Sequence, residues 1–118
     1  MKKLIHIAVA MIAIVLTSCN KTTTIYYYSS NMELNYVSGE PNNVSELENY
    51  LTYKLGTPFY LNKKEAQKEW QSFLDATSNM NITLNSASSY DVSFDRYESQ
   101  GGSQMVAVEN VGKKHWGK

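Results

Sequence analysis

The first eighteen residues limit what this chain can fold into, because they read as a segment that is removed. Lys2 and Lys3 precede an apolar run over residues 4–16, interrupted by His6 and closed by the small residues Thr17 and Ser18. A positive start, a short apolar core and small residues before a cut are the three parts of a secretory signal. The thirteen residues of the run fall short of the about 20 that a membrane-spanning helix needs. Removing 18 of 118 residues leaves 100, which is room for one domain and not two. A domain of that size can bury most of the surface its unfolded chain exposes.

Leu16-Thr17-Ser18-Cys19 resembles the lipobox of bacterial lipoproteins: an aliphatic residue, two small ones, then cysteine. The resemblance covers residues 1–19 alone. It implies a diacylglyceryl thioether on Cys19, cleavage before it, and an acyl chain on the new amino terminus. Several acyl chains, at about 0.8 kcal/mol per buried CH₂, hold a protein to a membrane where one chain is marginal. Cys19 is the only cysteine, so the modification consumes the thiol and no disulfide framework is available. Stability must come from packing. Asn20 stands where inner-membrane lipoproteins of this class carry aspartate, and no acidic run of the surface-exported type follows. The resemblance therefore implies an outer-membrane lipoprotein with its domain facing the periplasm.

The expected organisation is a signal peptide over residues 1–18, the lipidated cysteine and a short tether over 19–24, one domain over 25–112, and a basic tail over 113–118. The five residues 20–24 reach at most about 18 Å, so the domain sits close to its membrane. Losing Lys2 and Lys3 takes the basic residues from 11 to 9 against 11 acidic ones, a formal net of −2. Nucleic acid as a partner would call for a basic stripe. The densest basic stretch is Lys113, Lys114, His115 and Lys118.

Residues 25–28 are β-branched and aromatic, Ser29-Ser30-Asn31 is a turn signal, and Met32, Leu34 and Tyr36 alternate with polar residues, which predicts a hairpin. Ser45 with Glu48 forms a capping box before Leu47, Tyr50, Leu51 and Leu55 at helical spacing, with Gly56 and Pro58 as stops. Asn62 with Glu65 opens a second helix whose inward face is Ala66, Trp70, Phe73, Leu74 and Thr77. Strands follow over 81–85, 90–97 and 104–111, the last apolar enough to suggest a central position. The fold class is α+β: a mostly antiparallel sheet with two helices on one face, in the order β-β-α-α-β-β-β. Its expected core is Leu47, Leu51, Leu55, Trp70, Phe73, Leu74, Ile82, Val92, Phe94, Val106 and Val108.

Catalytic parts are scarce. After cleavage one histidine, His115, and no free thiol remain, and no Gly-x-Ser-x-Gly turn is present to support a nucleophilic serine. Asp91 and Asp95 share a strand face, but their α-carbons lie roughly 13 Å apart, against about 5–9.5 Å between glycosidase carboxyl groups. Asp91-x-Ser93-x-Asp95 lacks the glycine and closing glutamate of a calcium loop. No zinc-ligand spacing and no phosphate-cradling glycine loop occurs. No catalytic residue, metal, cofactor or small-molecule substrate is expected.

Aromatic residues are the remaining lead, with nine Tyr and two Trp. Side-chain alternation sends Tyr26 and Tyr28 one way and Tyr27 the other, leaving a face of the triplet for a partner; Trp116, behind three basic residues, is a second contact. The expected function is a lipid-anchored, non-catalytic module that binds an envelope protein through Tyr26, Tyr27, Tyr28 and Trp116, such as an accessory subunit of an outer-membrane or secretion assembly. One alternative is an immunity or inhibitor lipoprotein that neutralises a periplasmic toxin or lytic enzyme. Another is a glycan binder or enzyme using the Asp91/Asp95 face.

Overall fold

The computed structural model describes residues 2–4, 24–99 and 104–118; the lipobox, Cys19, the tether as far as residue 23 and residues 100–103 lie outside the described residues. The protein is α+β. Strands β2 (Thr24–Glu33), β3 (Ser89–Ser99) and β4 (Met105–Gly117) form an antiparallel sheet in that order, with the three-residue β1 (Lys2–Leu4) against the far end of β2. Helices α1 (Ser45–Thr52) and α2 (Lys63–Ser78) lie between β2 and β3 in sequence, so the order of the three long strands and the helices is β-α-α-β-β. No helix among the described residues is long and apolar enough to cross a membrane.

The predicted hairpin at Ser29-Ser30-Asn31 is instead one continuous ten-residue strand. The reason is phase. Tyr26, Tyr28, Ser30 and Met32 share one parity, and each pairs across to β3 without interruption: Tyr28 with Phe94, Ser30 with Val92, Met32 with Tyr90. A ladder that keeps every inward side chain inward overrides a local turn preference. Residues 81–85 form no strand; they make a single bridge, Thr83 to Asn43. Asn85 instead spends its side chain on the carbonyls of Asn35 (2.7 Å) and Glu40 (3.2 Å), a competition with ladder formation typical of asparagine.

Helix α2 begins as expected. Asn62 Oδ1 accepts from the Glu65 amide at 2.8 Å and Glu65 Oε1 accepts from the Asn62 amide at 2.9 Å. Helix α1 does not use the Ser45/Glu48 box. Its cap residue is Val44, without a side-chain cap bond, and Ser45 donates from its hydroxyl to Asn43 Oδ1 at 3.0 Å.

Between the helices and the sheet lies one core: Tyr26, Tyr28, Met32, Tyr90, Val92 and Phe94 from the strands, with Leu47, Leu51, Ala66 and Phe73 from the helices. Leu55, Trp70, Leu74 and Ile82 are half-buried and pack against it. Gly112 sits in β4 opposite Phe94 because Trp70 lies across it: a Cβ there would overlap Cε2, Nε1 and Cδ2 of the indole. Val106 and Val108, expected inside, are exposed. β4 is the edge strand, with β2 and β3 central, and register shifts between Phe94 and Asp95 and between Arg96 and Tyr97 break its alternation. Residues 113–117, expected as a tail, belong to β4: Lys114 pairs with Val92 and Trp116 with Tyr90.

Candidate functional site

The aromatic triplet does not form an open surface. Tyr26, Tyr27 and Tyr28 are each at most 2% exposed. Tyr26 and Tyr28 face the helices, Tyr28 stacked on Phe94 with ring centres 4.3 Å apart. Tyr27 points to the other sheet face, edge-on to Tyr97 at 5.7 Å, in a second cluster with Ile25 and Met105. Burial raises the pKa of all three phenols, and the Glu69 carboxylate adds to the rise for Tyr28. Trp116 is half-buried, edge-on to Tyr90 at 6.2 Å and Phe73 at 6.4 Å, with the Lys114 ammonium 5.1 Å from its ring. Core packing takes up these rings.

The exposed chemistry gathers on the sheet face turned away from the helices. Since Tyr28, Val92 and Phe94 point inward, their strand neighbours point outward. Register then aligns Ser29 with Ser93 and Lys113, and Asn31 with Asp91 and His115. Asp95 and Asn110 form the adjoining row. Ser29, Ser30, Asn31, Asp91, Ser93 and Lys113 line a cleft of about 190 Å³. Neighbouring bonds hold this array: Ser93 donates to Asp95 at 2.9 Å, and the Asn110 amide donates to Asp95 at 2.8 Å and to Ser93 at 3.0 Å.

The two aspartates act apart. Asp95 is engaged by Ser93 and Asn110, while Asp91 Oδ1 lies 2.6 Å from His115 Nδ1. The other imidazole nitrogen lies 2.5 Å from the Lys118 carbonyl. Both partners are acceptors, so only the doubly protonated ring satisfies both contacts. The hydrogen bond to Asp91 raises the His115 pKa first, and the Lys118 carbonyl adds to it. Ser93 points its hydroxyl at Asp95, so Ser93, His115 and Asp91 do not line up as a nucleophilic relay. Among the described residues no group of three or more His, Cys, Asp or Glu side chains is placed to hold a metal ion.

A group whose pKa is raised on folding adds stability that is fully present below its unfolded value, about 6.5, and is lost as pH rises through the folded one. Asp91 on β3 is the charged side chain that faces the imidazole. Amide exchange at the end of β4 is therefore expected to be better protected at pH 5.5 than at pH 8 after correction for intrinsic rates. Protection that stays flat in pH, or a pH dependence unchanged in His115→Gln, would remove the imidazolium clamp.

Of the outward residues, Asp91, Ser93 and Asp95 are legible from strand alternation; Asn31 and Lys113 are not, since they depend on a longer β2 and β4, and Asn110 is set beside Asp95 only by register. No family model, curated protein or solved structure matches this chain.

Proposed function

We propose that this chain is a lipid-anchored, periplasm-facing lipoprotein of the outer membrane that binds another envelope protein by surface complementarity. The observation that carries the binding half is the ordered polar face of β2, β3 and β4, on which Asp95, Ser93 and Asn110 fix one another. Side chains already held by neighbours lose little freedom when a partner arrives, so less of the interaction is spent on ordering. The anchoring half rests on Leu16-Thr17-Ser18-Cys19. With the aromatic triplet in the core, the contact moves from Tyr26, Tyr27 and Tyr28 to Asn31, Asp91, Ser93 and Lys113.

Affinity purification from detergent-solubilised envelope tests the pair of ideas. Cys19→Ser is expected to abolish lipid labelling and leave uncleaved precursor. Asn31→Arg with Ser93→Arg, at an exposed and a half-buried position of the outward sheet face, is expected to lose the co-purifying partner while the protein stays folded and anchored. Full recovery of that partner by the double variant would rule the polar face out. Normal cleavage and release of Cys19→Ser would rule the anchor out. The identity of the partner separates an assembly subunit from an inhibitor, whose captured protein is a toxin or lytic enzyme.

A further inference from the structure

The Thr24 end of the sheet carries an exposed aromatic and two exposed lysines. Thr24 opens β2 and pairs with Glu98, which pairs with Val106, so this row is one end of the sheet. Phe59 bridges Tyr26 in the antiparallel sense, with N···O distances of 2.9 Å in both directions. The chain beyond Phe59 therefore runs back towards Thr24, and Leu61, Asn62 and Lys63 line a cleft with Thr24, Tyr26, Arg96 and Glu109. Tyr60 is 60% exposed here and Val106 is 44% exposed. Lys63 and Lys64, which open α2, are exposed as well, and Lys63 reaches Glu109 at only 3.5 Å with most of its side chain in solvent. The opposite end of the domain carries the Asn35–Glu40 loops and the almost fully exposed Tyr36.

Thr24 is the fifth residue after Cys19, a reach of at most about 18 Å. A domain held that closely at its Thr24 end turns that end to the membrane. A tyrosine has an apolar ring and a polar tip, and a lysine an apolar stem and a charged head, so both suit the boundary between acyl chains and headgroups. Each lysine adds attraction to anionic lipid within a Debye length. We infer that the Thr24 end of the domain, through Tyr60, Val106, Lys63 and Lys64, rests on anionic phospholipid headgroups and fixes the orientation of the domain on its bilayer. This rests on the anchoring proposed above. It adds that the tether is not a free swivel: the polar face stands upright beside the membrane, and the Tyr36 end points away from it.

Photo-crosslinking of the full-length protein, purified from membranes and reconstituted into vesicles of phosphatidylethanolamine and phosphatidylglycerol, tests this contact. The probes are Tyr60→benzoylphenylalanine and Tyr36→benzoylphenylalanine, both at exposed positions. A phospholipid adduct at residue 60 and none at 36 is expected. Lys63→Gln and Lys64→Gln are each expected to lower that adduct roughly fivefold, and phosphatidylcholine vesicles should lower it too. Equal lipid adducts at both positions would mean a freely turning domain and would overturn the inference. So would a protein adduct at residue 60 in place of lipid, which would make this end a protein interface. The anchor is scored separately, by flotation with the vesicles and by mass of the amino terminus. An acylated, floating protein without an adduct at 60 refutes the contact alone. An adduct at 60 in a protein without acylation supports the contact and refutes the anchor.

Discussion

Phe73→Ala is expected to cost about 3–5 kcal/mol of folding stability, a cavity penalty added to the lost transfer free energy of the ring. Phe73 is completely buried and sits where four aromatic side chains converge. Its ring centre lies 5.0 Å from Trp70, 5.3 Å from Tyr28, 5.9 Å from Tyr50 and 6.4 Å from Trp116. These neighbours come from β2, α1, α2 and β4, so the side chain ties both helices to the sheet. They are large, flat and held by other contacts, which limits how far the hole can collapse. A domain of this size has about 5–15 kcal/mol in total, and each kcal/mol moves its midpoint by about 4–8 °C. A fall of 12 °C or more, roughly, follows for Phe73→Ala, read by circular dichroism on thermal unfolding. Tyr53→Ala, at an 83% exposed ring, should stay within about 0.5 kcal/mol. Similar losses for the two would mean that α2 does not present Phe73 to the sheet.

The helices were the most legible part of the fold, and for a physical reason. Their signals are local: Asn62 and Glu65 meet within one turn, and the spacing of Leu47 and Leu51 or of Ala66 and Phe73 reports a buried face without reference to the rest of the chain. Strand positions depend on partners far away in sequence. Tyr27 is buried on one face and Tyr28 on the other, which alternation predicts, but whether a face is covered is not a property of the strand itself. Val106 and Val108 look like core and are exposed because β4 is an edge. Lys113, Lys114 and His115 look like a solvated tail, yet β3 supplies a ladder long enough to pair with all three. The polar face was half legible for the same reason. Asp91, Ser93 and Asp95 lie on one strand, while their companions Asn31, Asn110 and Lys113 are set beside them by register.

Lys54 gave no sequence signal at all, and its removal is the second change expected to weaken the domain severely. Its ammonium lies 2.6 Å from Glu69 Oε2, with only 20% and 19% of the two side chains exposed. The rings of Tyr50, Tyr28 and Phe59 stand 5.3, 5.6 and 5.6 Å from it. The Tyr28 hydroxyl donates to the same Glu69 oxygen at 2.9 Å. One cation thus joins the end of α1, the middle of α2 and the centre of β2. Lys54→Met keeps the stem but leaves Glu69 facing the aromatic cluster with one hydroxyl as its partner. Stranding one member of a fully buried pair costs about 3–5 kcal/mol; the residual exposure here lets water screen the carboxylate, which brings the expectation to about 2–3 kcal/mol. Glu69→Gln keeps an acceptor for Tyr28 while removing the charge. The double variant Lys54→Met with Glu69→Gln should therefore be more stable than the sum of the single losses predicts, by about 1 kcal/mol or more. Denaturant unfolding of the four proteins in the cycle measures that coupling. Strict additivity would show that Lys54 stabilises the domain by covering the three rings and not by neutralising Glu69.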